Sequence, residues 1–177
     1  MLKTALTYGL AAGLIAGIPL FALVMIYKGP PPANGMLIGS LIMAAALSLI
    51  FVAIRRRRDR ELGGSIAFGA AFLLGLAIVA VAGVVYASLW EITLAVSKLD
   101  FGTEWARIHM EQAKLGGASE ARMAEVAADM ERFKDMYSQP LLRFAMTACE
   151  LLPVGLAISL ASAALLRNPR FMPARKA

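Results

Sequence analysis

The chain has 177 residues, 59% of them hydrophobic and 17% charged, with a mean hydropathy of +0.68 and a formal net charge of +6. A soluble domain is nearer half apolar and a quarter charged, so this composition excludes a water-soluble globule. One cysteine and one histidine exclude an internal disulfide framework, a cysteine-built zinc site and any site needing two histidines from one chain.

A bilayer core about 30 Å thick needs about 20 apolar residues in helical form, and four stretches meet that length within a single membrane domain, residues 1–177. The first, residues 5–27, carries no charge. Lys3 precedes it as in a signal peptide, but the run exceeds the roughly 7–15 residues of a signal core and no A-x-A pattern follows, so it reads as a retained span. Residues 28–35, with Pro30, Pro31 and Pro32, form a turn that cannot be helix interior. The second span, residues 36–54, stops at Arg55, Arg56, Arg57 and Arg58. A third apolar run, residues 66–96, is interrupted only by Glu91. At 1.5 Å per residue it is about 46 Å long, more than the hydrocarbon requires. The span is therefore placed at residues 66–90, with the part beyond Trp90 reaching the interface.

Residues 99–140 are the only substantial polar segment. Thr103 suits the cap of a helix beginning at Glu104, Gly116-Gly117 its end, and Ser119 the cap of a second helix running to Tyr137. Met123, Val126, Met130, Phe133 and Tyr137 share one face of the second helix; Trp105, Ile108 and Leu115 share one face of the first. Two such helices joined by glycine make a hairpin that either packs on the span ends or lies on the leaflet, and their mixed charges favour packing. The fourth span, residues 141–166, has Pro140 in its first turn and a basic tail, residues 167–177, behind it.

Charge placement then orients the chain. With a cytoplasmic N-terminus, the inner segments hold ten basic residues (Lys3, Arg55 to Arg58, Arg60, Arg167, Arg170, Arg175, Lys176) against Asp59 and Glu61, leaving eight basic and ten acidic residues for the outer side. This is the positive-inside pattern of a multi-pass inner-membrane protein with both termini in the cytoplasm and the 99–140 loop outside. Tyr27, Tyr86 and Trp90 would lie at the outer interface. Arg55, Arg56, Arg57, Arg58 and Arg60 abut a span end, so they read as a topology signal with headgroup or partner contacts, not as a nucleic-acid site.

Association of helices in lipid rests on small residues that let backbones approach. Ala5, Gly9, Gly13 and Gly17 form such a ridge on the first span; Ser40, Ala44 and Ser48, then Ala71, Gly75, Gly83 and Ala87, then Gly155, Ser159 and Ala163 repeat the theme. Gly9, Gly13 and Gly17 serve packing within a four-helix bundle or, as the alternative, contact between copies. Pro19 and Pro153 lie inside spans and favour kinks. Glu150 is the one carboxylate inside the fourth span, placed about one turn below the outer interface; Glu91 is expected at a comparable depth, and Arg143 lies on the face of Glu150. Glu91, Arg143 and Glu150, with Trp90, Thr93 and Thr147, suggest an outer-leaflet polar cluster. It is a structural pair between spans three and four, or a functional site such as a proton-linked carboxylate or a lipid-headgroup contact, or else Glu91 and Glu150 never meet. Methionines and His109 in the loop lack the spacing of a copper site, and Met123 and Met130 already serve the apolar stripe. No cofactor and no metal is expected.

The stretch Arg56-Arg57-Arg58-Asp59-Arg60-Glu61-Leu62-Gly63-Gly64-Ser65-Ile66-Ala67-Phe68-Gly69 resembles the signature of a bacterial membrane-protein family, domain of unknown function 4199. The resemblance covers roughly residues 2–166 and implies four spans, a cytoplasmic turn with the pattern R-x-R-D…GG-x-I-x-F-G, and a tryptophan near the end of the third span, here Trp90. It implies no activity, cofactor or catalytic residue. In that turn Gly63-Gly64 allows tight backbone geometry and Ser65 suits the cap of the third helix.

No G-x-x-x-x-G-K-[ST], G-x-S-x-G or H-E-x-x-H is present in the sequence, and any hydrolase would have to rest on His109 alone. The expectation is an all-α, non-enzymatic, structural or accessory membrane subunit. Its partners are the lipid bilayer and another membrane protein or a second copy of itself, with no nucleic acid. The alternative is a small transporter or channel-forming oligomer using the carboxylate site.

Overall fold

Long apolar runs satisfy their backbone polar groups internally only as helices once water is absent, and every regular element among the described residues is an α-helix. The computed structural model describes residues 1–27 and 35–173, with the backbone alone for Tyr27, Gly35 and Met36. The Pro30 to Pro32 turn, the side chain of Tyr27, and Arg175 and Lys176 lie outside that description. In chain order the helices are α1 (Leu2–Tyr27), α2 (Gly35–Leu47), α3 (Leu49–Glu61), α4 (Phe68–Ser97), α5 (Phe101–Leu115), α6 (Glu120–Ser138), α7 (Pro140–Cys149) and α8 (Leu152–Leu166). Four helical stretches are long and apolar enough to cross a membrane: Leu2–Ile26, Leu37–Glu61 (α2 with α3), Phe68–Ser97 and Pro140–Leu166 (α7 with α8). Large side chains such as Leu2, Ile18, Leu73, Val84 and Ile92 face outward, whereas Ser159, Ser162, Thr93 and Thr147 are buried. Apolar outside with small polar groups inside is the arrangement expected where lipid is the solvent.

The helix that carries the second span runs on past the apolar stretch. It is interrupted at Ser48, where the hydroxyl donates to the Ala45 carbonyl (2.6 Å), and continues through the arginines to Glu61. Arginine is a good helix former, and the pairs Arg55–Asp59 (3.5 Å) and Arg57–Glu61 (3.7 Å) each span four residues of α3. Termination comes from Gly63 (φ 63°) and Gly64 (φ 93°), with the Gly64 N–H donating to the Arg58 carbonyl at 2.9 Å. Ser65 does not cap the third span. That position falls to Ala67, extended and without a side-chain bond, because residues 65–67 lie outside any helix and bring Ile66 into the core.

The centre of the bundle is α4. A β-carbon added at Gly13 would stand 2.6 Å from Val85 Cβ and 2.8 Å from the Ala82 carbonyl oxygen; Gly9 meets Val81 and Gly17 meets Leu89 in the same way. Residue numbers rise together across this interface, so α1 and α4 are parallel. The glycine ridge is thus occupied within the chain. On another side of α4, Gly75 lies against Ser159, Val79 against Gly155, and Gly83 against the Ala148 carbonyl. Here the numbers run in opposition, so α7 and α8 are antiparallel to α4.

One end of the bundle gathers arginines. Arg56 reaches the Tyr8 hydroxyl (3.4 Å). Arg58 is fully buried; its Nε donates to Asp59 Oδ1 (2.6 Å) and its two Nη atoms donate to the Phe171 (2.9 Å) and Met172 (2.5 Å) carbonyls. Arg58 therefore clasps the chain after α8 and cannot be an exposed contact for headgroup or partner. Arg56 and Arg60 remain exposed, Arg55 and Arg57 half-buried.

Candidate functional site

At the opposite end, α5 and α6 form an antiparallel hairpin seated on the ends of α4 and α7. The cap of α5 is Asp100, one turn earlier than Thr103: its carboxylate accepts from the Thr103 N–H (3.1 Å) and hydroxyl (2.7 Å). These bonds hold the Asp100 carboxyl below the ordinary aspartate range. Ser119 caps α6, accepting from the Arg122 N–H at 3.3 Å. Leu115, expected on the packed face of α5, points outward instead at 85% exposure, because Gly102 and Ala106 supply the close approach to α6. His109 stacks on Trp105 at 4.4 Å, its Nδ1 2.9 Å from the Trp105 carbonyl.

Trp90 on α4 anchors the hairpin. Its indole N–H donates to the Tyr137 hydroxyl at 2.5 Å, its ring meets Phe101 edge-on at 5.1 Å, and Phe101 packs in turn on Tyr137 and Trp105. Burial pushes the Tyr137 phenol up to about 12, so at neutral pH it stays protonated. Trp90 is therefore an internal packing residue. Tyr86, which an interfacial belt would have claimed, is also buried.

The three singled-out charges divide into a pair and a single residue. Arg143 holds Glu91 through both carboxylate oxygens (Nε to Oε1 2.8 Å, Nη2 to Oε2 2.6 Å), and its Nη1 donates to the Tyr137 carbonyl (3.2 Å). A bidentate pair of this kind, with side chains 19% and 29% exposed, ties α7 to α4 while cancelling both charges. Glu150 takes a different partner: the Tyr86 hydroxyl donates to its Oε2 at 3.4 Å. Thr93 is turned to its own helix, bonding the Leu89 carbonyl at 2.7 Å, and Thr147 is buried beside α4.

Depth separates the two groups. Glu91 and Arg143 are level, but Glu150 lies seven residues further along the fourth span, roughly 10 Å deeper at 1.5 Å per residue. It neighbours Ala148, which packs on Gly83 near the middle of α4. Within the helical stretch Pro140–Leu166 it stands ten residues from one end and sixteen from the other. The helix breaks there, α7 ending at Cys149 and α8 starting at Leu152. Pro153 supplies no N–H, so the Cys149 carbonyl loses its usual donor. Glu150 and Cys149 are both exposed on the bundle surface. A carboxylate at the centre of a span costs about 3 kcal/mol on insertion scales unless a proton or a partner removes the charge. On its other side the Tyr86 ring lines a void of about 40 Å³ with Pro19, Leu20, Gly39 and Met43.

Sequence reasoning named Tyr86, Tyr137 and Arg58 but not their partners: Glu150, Trp90 and the Phe171 and Met172 carbonyls. Tyr86 lies one turn from Gly83 on the face towards α7, but no local pattern announces a partner 64 residues away. Residues 7–168 match the family described as protein of unknown function (DUF4199). No curated protein and no solved structure matches the chain.

Proposed function

The chain belongs to the DUF4199 family of proteins of unknown function, and from that premise we propose that it acts as a non-enzymatic accessory subunit of a bacterial inner membrane. In this reading it presents its α5–α6 hairpin to a membrane-protein partner. The observation that carries the reading is the anchoring of the hairpin. Trp90–Tyr137, the Phe101 ring cluster and the Arg143–Glu91 pair hold two polar helices in fixed register on the spans. A rigid platform spares a partner the entropy of ordering a loop.

The orientation proposed is both termini in the cytoplasm and the hairpin outside. Lys3, the arginines of α3, and Arg167 and Arg170 collect at one end of the bundle, which supports a cytoplasmic assignment for that end. Reporter fusions at residue 117 and after residue 173 test it: activity of an exported reporter at residue 117 alone is expected, and the reverse overturns the orientation. Affinity capture of the tagged chain from native membranes in mild detergent tests the role. A defined membrane protein should co-purify and be lost when Arg143→Ala and Tyr137→Ala release the hairpin.

Glu150, exposed at mid-span, favours a second reading in which several copies form a small transporter. Glu150-dependent flux in reconstituted vesicles, with no partner captured, would replace the first reading by the second.

A further inference from the structure

We propose that Glu150 is a proton-binding carboxyl on the lipid-facing surface of the bundle, positioned by the Tyr86 hydroxyl. The proposal is independent of the accessory-subunit reading, since it concerns the spans and not the hairpin.

Three observations converge on it. Glu150 is exposed on the bundle surface although it lies near the middle of a stretch apolar enough to cross a membrane, where an ion is poorly tolerated. The other two charges of the region are spent on one another, Arg143 gripping both oxygens of Glu91. The remaining partner of Glu150 is a neutral hydroxyl, that of Tyr86 at 3.4 Å, which orients the carboxyl in either protonation state without neutralising it.

From α4, Tyr86 faces Glu150, with Glu91 above it. Tyr137 lies above from α6, and Arg143 and Cys149 share its own span. No charged residue occurs in α2. Among the described residues no three His, Cys, Asp or Glu gather as a metal site would need, and a lone carboxyl facing a neutral hydroxyl needs no further side chain to take up a proton. The carboxyl projects from the two-residue link between α7 and α8, beside the carbonyl that Pro153 leaves without its usual donor.

A lipophilic carbodiimide, which enters the bilayer and condenses with protonated carboxyls, is the direct probe. The full chain in lipid vesicles should take up one carbodiimide per molecule by mass spectrometry, with the adduct mapped to Glu150 and absent in Glu150→Gln. The rate should fall as pH is raised from 5 to 9. Tyr86→Phe removes a hydrogen bond that favours the ionised form, so labelling of that variant should persist to higher pH than in the natural chain; comparing the two cancels the reagent's own pH dependence. The single Cys149 reports the same face, and should react with a lipophilic maleimide at least tenfold faster than with a membrane-impermeant sulfonated one. The proposal is overturned by absence of the adduct, by an adduct that survives in Glu150→Gln, by matching pH profiles for Tyr86→Phe and the natural chain, or by Cys149 reacting equally with both maleimides. Glu150→Asp keeps the carboxyl, and its labelling guards against a Glu150→Gln variant that merely misfolds; an unlabelled Glu150→Asp that is folded by circular dichroism also counts against the proposal.

Discussion

Arg143 donates to three acceptors at once, two on Glu91 and one on the Tyr137 carbonyl, and so joins α7, α4 and the end of α6. Removing one partner of such a pair leaves the other charge poorly solvated in a partly buried site. Glu91→Ala should therefore destabilise the chain by about 1–3 kcal/mol, and the double variant Glu91→Ala/Arg143→Ala by less than the sum of the singles. A double-mutant cycle of unfolding in mixed micelles measures this; strict additivity would falsify the coupling. Arg58 acts comparably at the other end, where its buried guanidinium holds the Phe171 and Met172 carbonyls. Arg58→Met should free that segment, giving rapid protease cleavage between residues 167 and 173 while the natural chain resists.

Among the elements, α4 carries the most consequence because it meets α1 with one face and α7–α8 with another. Its interface with α1 depends on glycine: at Gly13 there is no room for a β-carbon between Val85 and the Ala82 carbonyl. Gly13→Leu should cost about 1–3 kcal/mol or more through overpacking, read as a lower thermal midpoint in detergent. The same change at Gly39, where a β-carbon meets nothing within 4 Å, should leave that midpoint unchanged. For α5 the decisive residue is Asp100. Its carboxyl titrates below its ordinary value because Thr103 bonds the ionised form. The stability this supplies is present above the unfolded aspartate range, near pH 4, and is lost as pH falls through the lowered folded value. Protection of the α5 amides in hydrogen exchange should accordingly weaken as pH falls below the ordinary aspartate range, and Asp100→Ala should show the weakened pattern at neutral pH, at a cost of about 1 kcal/mol.

For the whole molecule, the bundle and the hairpin are held by different forces: close backbone packing in the first, an aromatic and ionic clamp in the second. Replacing residues 99–139 with a short Gly/Ser linker should therefore leave a monodisperse four-span protein with reduced stability. Aggregation of that variant in mild detergent would show instead that the hairpin is needed for the spans to assemble.

The sequence by itself determined the solvent, the all-helical class and the four apolar stretches, since each is written in residues that are neighbours along the chain. Gly9, Gly13 and Gly17 were legible as a packing face, and Ser119 as a cap, for the same reason. The partner of the glycine ridge was not, whereas the continuation of helix through Arg55 to Arg58, with its pairs to Asp59 and Glu61 four residues on, was written locally and was hidden only by the end of the apolar run. Which of Glu91, Arg143 and Glu150 meet was decided by tertiary structure alone. A shift of two turns along α7 relative to α4 changes the partner of every side chain between them, and a rotation about its axis decides whether Glu150 faces the core or the lipid. Neither quantity is local. The close approach at Gly75, Gly83 and Gly155 sets that register, pairing Arg143 with Glu91 and leaving Glu150 exposed beside the Tyr86 hydroxyl.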